Sequence, residues 1–154
     1  MGRRLRSCGF PQKQRRVLTW WCRPGNWEAI ICDGAVRSGK TFSMGLSFFL
    51  WAMARFNGRQ LGLCGKTITS LRRNLLAELV PYLRRLGFDC WERRSENLLT
   101  VRLGGHENRF LLFGGRDESS AALIQGSTLG GGAAGRGGPD APVLCGAGPA
   151  PGAR

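Results

Sequence analysis

Apolar positions recur along the first 115 residues in two rhythms, and the switches between them outline the elements. "PQKQRRVLTWWC" (Pro11 to Cys22) opens on proline and carries Val17, Leu18, Trp20 and Trp21, the pattern of a short amphipathic helix. "EAIICD" (Glu28 to Asp33) is a short apolar run of strand length. "TFSMGLSFFLWAMARF" (Thr41 to Phe56) is apolar on nearly all sides, which predicts a buried helix, and Asn57-Gly58 stops it. "QLGLCG" (Gln60 to Gly65) predicts a second strand. From Thr69 to Gly87, Leu71, Leu75, Leu76, Leu79, Leu83 and Leu86 recur at helical spacing, with Pro81 expected to kink or split the helix. "NLLTVRL" (Asn97 to Leu103) and "NRFLLFG" (Asn108 to Gly114) flank "GGHE", a hairpin signal. Strand, helix, strand, helix predicts an α/β fold, a parallel sheet covered by helices.

The pattern ends near Gly130. Nineteen of the twenty-five residues from Gly130 to Arg154 are Gly, Ala or Pro, with no apolar period. Such a segment buries too little apolar surface to offset its ordering entropy, so a disordered tail is expected over residues 132–154. The division that follows is a basic segment over residues 1–10, a partial domain over 11–131, and the tail.

Charge adds a partner class. The formal net charge of +13 on 154 residues points to a polyanion, nucleic acid before an anionic membrane, against the alternative of a merely solvated basic surface. The six cysteines are irregularly spaced without a C-x-x-C pair, which argues against a disulfide scaffold or a zinc site and for a reducing cytoplasm. Cys32 and Cys64 sit in apolar runs as small hydrophobes. The single histidine, His106, reads as a turn residue. The start "MGRRLRSCGF" lacks an apolar region of signal-peptide type, Arg6 stands where myristoylation wants Ser or Thr, and "MGLSFFLWAMA" is too short to span a bilayer, so no membrane partner is expected.

The candidate chemistry lies between the first strand and the buried helix. Gly34-Ala35-Val36-Arg37-Ser38-Gly39-Lys40-Thr41 fits G-x-x-x-x-G-K-[ST] in full. Glycines let the backbone turn tightly so that its N–H groups face phosphate oxygens; Lys40 is placed to neutralise the β- and γ-phosphates, and the Thr41 hydroxyl to ligate Mg²⁺. The helix that follows adds the positive end of its dipole. With strand before and helix after, the pattern predicts a P-loop NTPase-like site for ATP and Mg²⁺. Arg37 reads as an exposed loop arginine, the other reading being an arginine supplied to the transition state.

Residues Phe10 to Gly131 resemble the large terminase subunit of tailed phages and prophages, the PBSX-type branch. The likeness is carried by "PQKQRRVLTWW", "GAVRSGKTFS", "LGLCGKTITSLRRN" and, most particularly, "FGGRDESSAALIQGSTLGG". The resemblance implies an N-terminal ATPase domain that drives double-stranded DNA into a procapsid, a C-terminal metal-dependent nuclease, and a terminase small subunit and portal protein as partners. It places the adenine-contacting glutamine at Gln14, or less readily Gln12, both of which otherwise read as helix surface. Arg72, Arg73, Arg84 and Arg85, with Arg93 and Arg94, are the candidate DNA-facing charges, or equally a solvated helix face. Trp20, Trp21 and Trp51 read as core. The alternatives to an ATP-binding terminase fragment are a non-catalytic basic nucleic-acid-binding fragment and an unrelated small P-loop NTPase; the kinase version of the latter lacks a lid-like arginine cluster.

One component is missing from the sequence. A P-loop ATPase needs a second strand ending in an acidic residue for Mg²⁺, usually with a glutamate that orients water. No apolar run here ends in Asp-Glu; Asp117-Glu118 follows "FLLFGGR" with Gly114, Gly115 and Arg116 intervening, and Asp89 ends no apolar strand. Hydrolysis is therefore expected to be impaired. Read one nucleotide later, however, the codons of residues 132–150 permit "VLLDEVALMPRSFVEQAL", whose opening is an apolar strand ending in Asp-Glu. A one-nucleotide frameshift at about Gly130 to Gly132 accounts for both the missing strand and the tail.

Overall fold

The computed structural model describes residues 9–24, 29–32, 38–115, 131–135 and 142–146, with the backbone alone at residue 29 and in the last two segments. Its centre is a seven-stranded sheet of order β1-β7-β6-β2-β5-β4-β3. The strands are β1 (Ala29–Ile31), β2 (Gln60–Gly65), β3 (Asp89–Arg93), β4 (Leu98–Leu103), β5 (His106–Gly114), β6 (Gly131–Gly135) and β7 (Pro142–Gly146). The helices are α1 (Gln12–Leu18), α2 (Lys40–Arg55), α3 (Ile68–Leu71) and α4 (Ala77–Arg85), with a π-helical turn (Arg72–Leu76) joining the last two.

The strand and helix alternation expected from the sequence is present, but the sheet is mixed. β6-β2-β5 is its parallel part, β3-β4-β5 is an antiparallel meander, and β7 runs antiparallel to both β1 and β6. The hairpin expected around "GGHE" is the β4–β5 pair, turning at Gly104 and Gly105. His106, expected in the turn, instead opens β5 opposite Leu103, with its Nδ1 3.2 Å from the Met53 carbonyl.

Two short strands, β6 and β7, fall within or next to the stretch read as a tail. The remainder of residues 132–154 falls outside the described residues. The pairing is a main-chain matter: β2 presents an open row of N–H and C=O groups, and a Gly/Ala segment meets it with no side-chain requirement.

The core forms where α2 and α4 press on one face of the sheet. Every residue from Ser43 to Phe49 is buried, as the all-round apolar pattern predicts. Phe49 and Phe110 have ring centroids 4.3 Å apart, and Phe48 reaches both Phe110 and Trp51. Leu61, Leu63, Leu99, Val101 and Leu112 supply the sheet's side, and Leu79 and Leu83 supply α4's. Trp20 and Trp51 are buried and Trp21 packs against the core, so these aromatics take the structural role expected of them.

Pro81 does not end its helix but lies inside α4. The chain stays helical from Ile68 to Arg85, and its irregularity is the π-turn before α4. Gly45 is what lets α4 lie so close to α2. A Cβ at Gly45 would stand 2.5 Å from Leu75 Cδ1 and 3.3 Å from Leu79 Cδ2. Gly45→Val is expected to cost about 2 kcal/mol through overpacking and to lower the melting temperature by about 5 °C. A thermal scan by circular dichroism checks this; an unchanged melting temperature would mean the two helices part without cost.

Candidate nucleotide-binding site

The directions of the strands decide where a ligand can meet the backbone. β1 is antiparallel to β7, β7 is antiparallel to β6, and β6, β2 and β5 are parallel. The carboxyl ends of β1, β6, β2 and β5 therefore share one edge, the place where open α/β sheets bind ligands. The glycine loop leaves from this edge. Gly34, Ala35, Val36 and Arg37 lie outside the described residues; Ser38, Gly39, Lys40 and Thr41 lie within them.

Lys40 is the first residue of α2, and Gly39 is its N-cap at φ 76°. That left-handed turn suits glycine, and a Cβ there would also come within 3.0 Å of Gln14 Nε2. The Ser43 N–H donates to the Gly39 carbonyl at 2.9 Å, so the helix begins at once after the turn. No side chain caps α2, and its first turn holds no acidic residue. The first N–H groups of a helix have no acceptor inside it, and the dipole's positive end lies with them. This end of α2 thus suits an anion, and the half-buried Lys40 adds a cation to it. The Thr41 side chain is exposed beside it. Ser43 Oγ, one turn in, is buried with no hydrogen-bond partner. Burial pushes the Cys32 thiol at the end of β1 up, and the Lys40 charge partly offsets this.

Gln14 is brought to the loop from α1. Ser47 Oγ on α2 donates to the Val17 carbonyl at 2.7 Å, and Arg55 Nη2 donates to the Trp21 carbonyl at 3.3 Å. Held in this way, α1 sets Gln14 Nε2 3.1 Å from the Ser38 carbonyl oxygen, to which it donates. The sequence reading offered helix surface as one account of Gln14; its amide instead touches the loop. Gln12 opens α1 and is exposed.

The arginines proposed to face DNA are not equivalent. Arg72 is tied inward, with Nε 2.6 Å from Glu92 Oε1 and Nη2 donating to the Arg94 carbonyl and to Asn97 Oδ1. The pair is half-buried and pins the π-turn to the β3–β4 connection. Arg84 Nη2 donates to the Cys90 carbonyl at 2.8 Å. Arg72 is therefore half-buried and held by the fold, whereas Arg84 is anchored through one nitrogen and stays exposed. Arg73 is exposed beside Asn74, and Arg85 lies over the Tyr82 ring at 5.2 Å. Arg93 and Arg94 are exposed beside Glu96 and Glu92.

Among the described residues the acids are Glu78 on α4, Asp89 and Glu92 on β3, Glu96 after it, and Glu107 near the amino end of β5. No three His, Cys, Asp or Glu side chains among the described residues gather as a metal site. Asp117 and Glu118 lie outside the described residues.

The whole arrangement is similar to solved structures of the large terminase from a thermophilic bacteriophage. One aligns at TM-score 0.77 and 45% identity over 81% of this chain and 32% of that one. The chain is a relative of the phage large terminases. The same thermophilic-phage terminase in complex with ADP aligns at TM-score 0.74 and 44% identity over 80% of this chain and 31% of that one. In complex with ATP-γ-S it aligns at TM-score 0.72 and 41% identity over 81% and 30%. This terminase relative spans 30 to 32% of the length of those proteins. No protein-family model matches the chain, and no curated protein matches it.

Sequence reasoning missed Asn108. It is fully buried and closes the carboxyl end of α2: Nδ2 donates to the carbonyls of Ala52 and Phe56, and Oδ1 accepts from Arg59 N–H. The signal was available. Asn108, Phe110 and Leu112 share one strand face, so a core-facing asparagine could be read from the alternation.

Proposed function

We propose that this chain is the nucleotide-binding part of a phage DNA-packaging motor, holding ATP·Mg²⁺ at the N-terminus of α2. The observation that carries this reading is Lys40 opening an uncapped helix behind the left-handed Gly39, at the carboxyl edge of the parallel strands. The likeness to a large terminase that has been solved with ADP and with ATP-γ-S supports it. Residues 34–41 cradle the phosphates, Lys40 neutralises them, the Thr41 hydroxyl reaches the magnesium ion, and Gln14 contacts the adenine from α1. The bound magnesium ion screens the phosphate charge. Hydrolysis is impaired, because no apolar strand in this frame delivers the acid that the chemistry needs. Nuclease activity belongs to the longer family protein, outside this domain.

Double-stranded phage DNA is the polyanionic partner. Arg73, Arg84 and Arg85 stay in the proposed contact set, joined by Arg93 and Arg94, while Arg72, half-buried against Glu92, shapes the surface from within. The terminase small subunit and the portal protein are the partners of the intact assembly, in the cytoplasm of the bacterial host. No helix among the described residues is long and apolar enough to cross a membrane.

The test is a titration of the chain with a fluorescent ATP analogue in Mg²⁺ buffer. Saturable binding in the micromolar range is expected, and Lys40→Ala should weaken it at least tenfold, about 1.4 kcal/mol. Gln14→Ala should weaken ATP more than GTP, because it removes an amide from the base and leaves the phosphate cradle intact. Binding that is indifferent to Lys40→Ala would leave the basic nucleic-acid-binding reading in its place.

A further inference from the structure

The sheet contains a strand whose sequence contradicts its position. β6 lies inside the sheet, parallel to β2, with Gly132, Ala133 and Ala134 opposite Gly62, Leu63 and Cys64. α2 lies against it. A parallel strand in such a place normally reads as a run of Val, Ile and Leu, and glycine inside a strand weakens it. Here the strand reads Gly-Gly-Ala-Ala-Gly. Such a conflict between local sequence and global position marks a site that needs an explanation of its own.

The shifted reading removes the conflict residue by residue. One nucleotide later, codons 132, 133 and 134 permit Val, Leu and Leu, the residues a buried parallel strand wants. Codon 135 permits Asp at the last residue of β6. That end lies at the same edge as the ends of β1, β2 and β5, where the glycine loop begins. Codon 136 permits Glu directly after it. The fold therefore places the stretch 131–135 in a slot that the displaced frame fits in hydrophobicity, in length and in the position of its acid.

We infer that β6 occupies the slot of the acid-bearing strand of the nucleotide site, and that a one-nucleotide frameshift just before it has replaced Asp with Gly at position 135. This rests on the nucleotide-site reading above, and it adds where the missing ligand for the divalent cation belongs. Backbone pairing holds the slot even with glycine and alanine in it. What is lost is the carboxylate at its end and the apolar side chains along it.

Two measurements test the inference, and either can overturn it. The first is the base sequence of the gene across codons 132–137. The third bases must be T, T, T, A, A and T in order, and codon 136 must begin with C. A third base other than A at codon 135, or an AGA or AGG codon at 136, ends the frameshift account. The second uses the full chain carrying G135D, compared with G135N and the unaltered protein. Mn²⁺ affinity is read by electron paramagnetic resonance with ATP-γ-S present, after circular dichroism has shown equal helix content. G135D should tighten Mn²⁺ about tenfold, the scale of one added charge-assisted contact, and G135N should leave it unchanged. Equal Mn²⁺ affinity in all three proteins would show that β6 does not deliver its end to the nucleotide edge. Failure of the nucleotide reading itself looks different: the unaltered chain would not bind ATP-γ-S in a manner that depends on Lys40.

Discussion

Asn108→Leu is expected to destabilise the fold by about 3–5 kcal/mol, a large share of the roughly 5–15 kcal/mol that holds an ordinary domain together. The volume is nearly conserved, so the loss comes from hydrogen bonding. Asn108 Nδ2 donates at 2.9 Å to the Phe56 carbonyl and at 3.3 Å to the Ala52 carbonyl, and Oδ1 accepts from Arg59 N–H at 3.0 Å. With leucine there, Arg59 N–H loses its partner, and the end of α2 loses a buried donor that no water readily replaces. A buried group left without its partner costs roughly 1–3 kcal/mol. Two neighbouring contacts act on the same corner, the Glu107 N–H donating to Asn57 Oδ1 and His106 Nδ1 lying near the Met53 carbonyl. These are more exposed and do not compensate. Urea unfolding followed by tryptophan fluorescence checks the prediction, with Arg109→Ala as an exposed control on the same strand. A loss below about 1 kcal/mol would mean that water satisfies the α2 terminus without Asn108.

The elements that could be read from the sequence are those whose burial is carried by side chains. α2 is legible because its apolar residues run all round, and the face pressing on the sheet needs nothing else. β2 is legible as a short buried run through Leu61 and Leu63, and the β4–β5 hairpin because Leu99, Val101 and Phe110 alternate with more exposed neighbours. β3 was not legible. Cys90 is its one buried residue, and "DCWER" is held by pairing with β4 and by the Arg72–Glu92 contact. β6 and β7 were not legible because main-chain pairing defines them, and glycine and alanine carry no periodic signal for it. The π-turn could not be read either: Arg72 closes it through three partners that lie 20 or more residues away. In the site, Lys40 and Thr41 followed from the motif. The meeting of Gln14 with Ser38 depends on how α1 packs on α2, which no local pattern records. The ties of Arg72 to Glu92 and of Arg84 to the Cys90 carbonyl have the same origin. Charge on a helix face says only that a cation is there; which carbonyl or carboxylate it finds is decided by the strands packed beneath.

ATP turnover by this chain is expected on the order of 10⁻⁴ s⁻¹ or less, the scale of a P-loop protein without transition-state charge stabilisation. Binding and turnover separate because they use different groups. Binding draws on the start of α2, on Lys40 and on Thr41, all present in this frame. Turnover also needs a carboxylate on the cation's shell and a group that orients water, since positioning and electrostatics supply nearly all of the acceleration in phosphoryl transfer. Position 135, where that strand ends, is glycine. Asp89 and Glu92 lie on β3, at the far side of the sheet from β1, and Glu107 lies at the amino end of β5, away from the loop. Arg72 already engages Glu92. The measurement is phosphate release at saturating ATP·Mg²⁺, beside the nucleotide titration on the same preparation. The expected result is saturable nucleotide binding with phosphate release equal to that of Lys40→Ala. Lys40-dependent release near 1 s⁻¹, roughly the lower end of ordinary enzymes, would show that another acid of this chain completes the site.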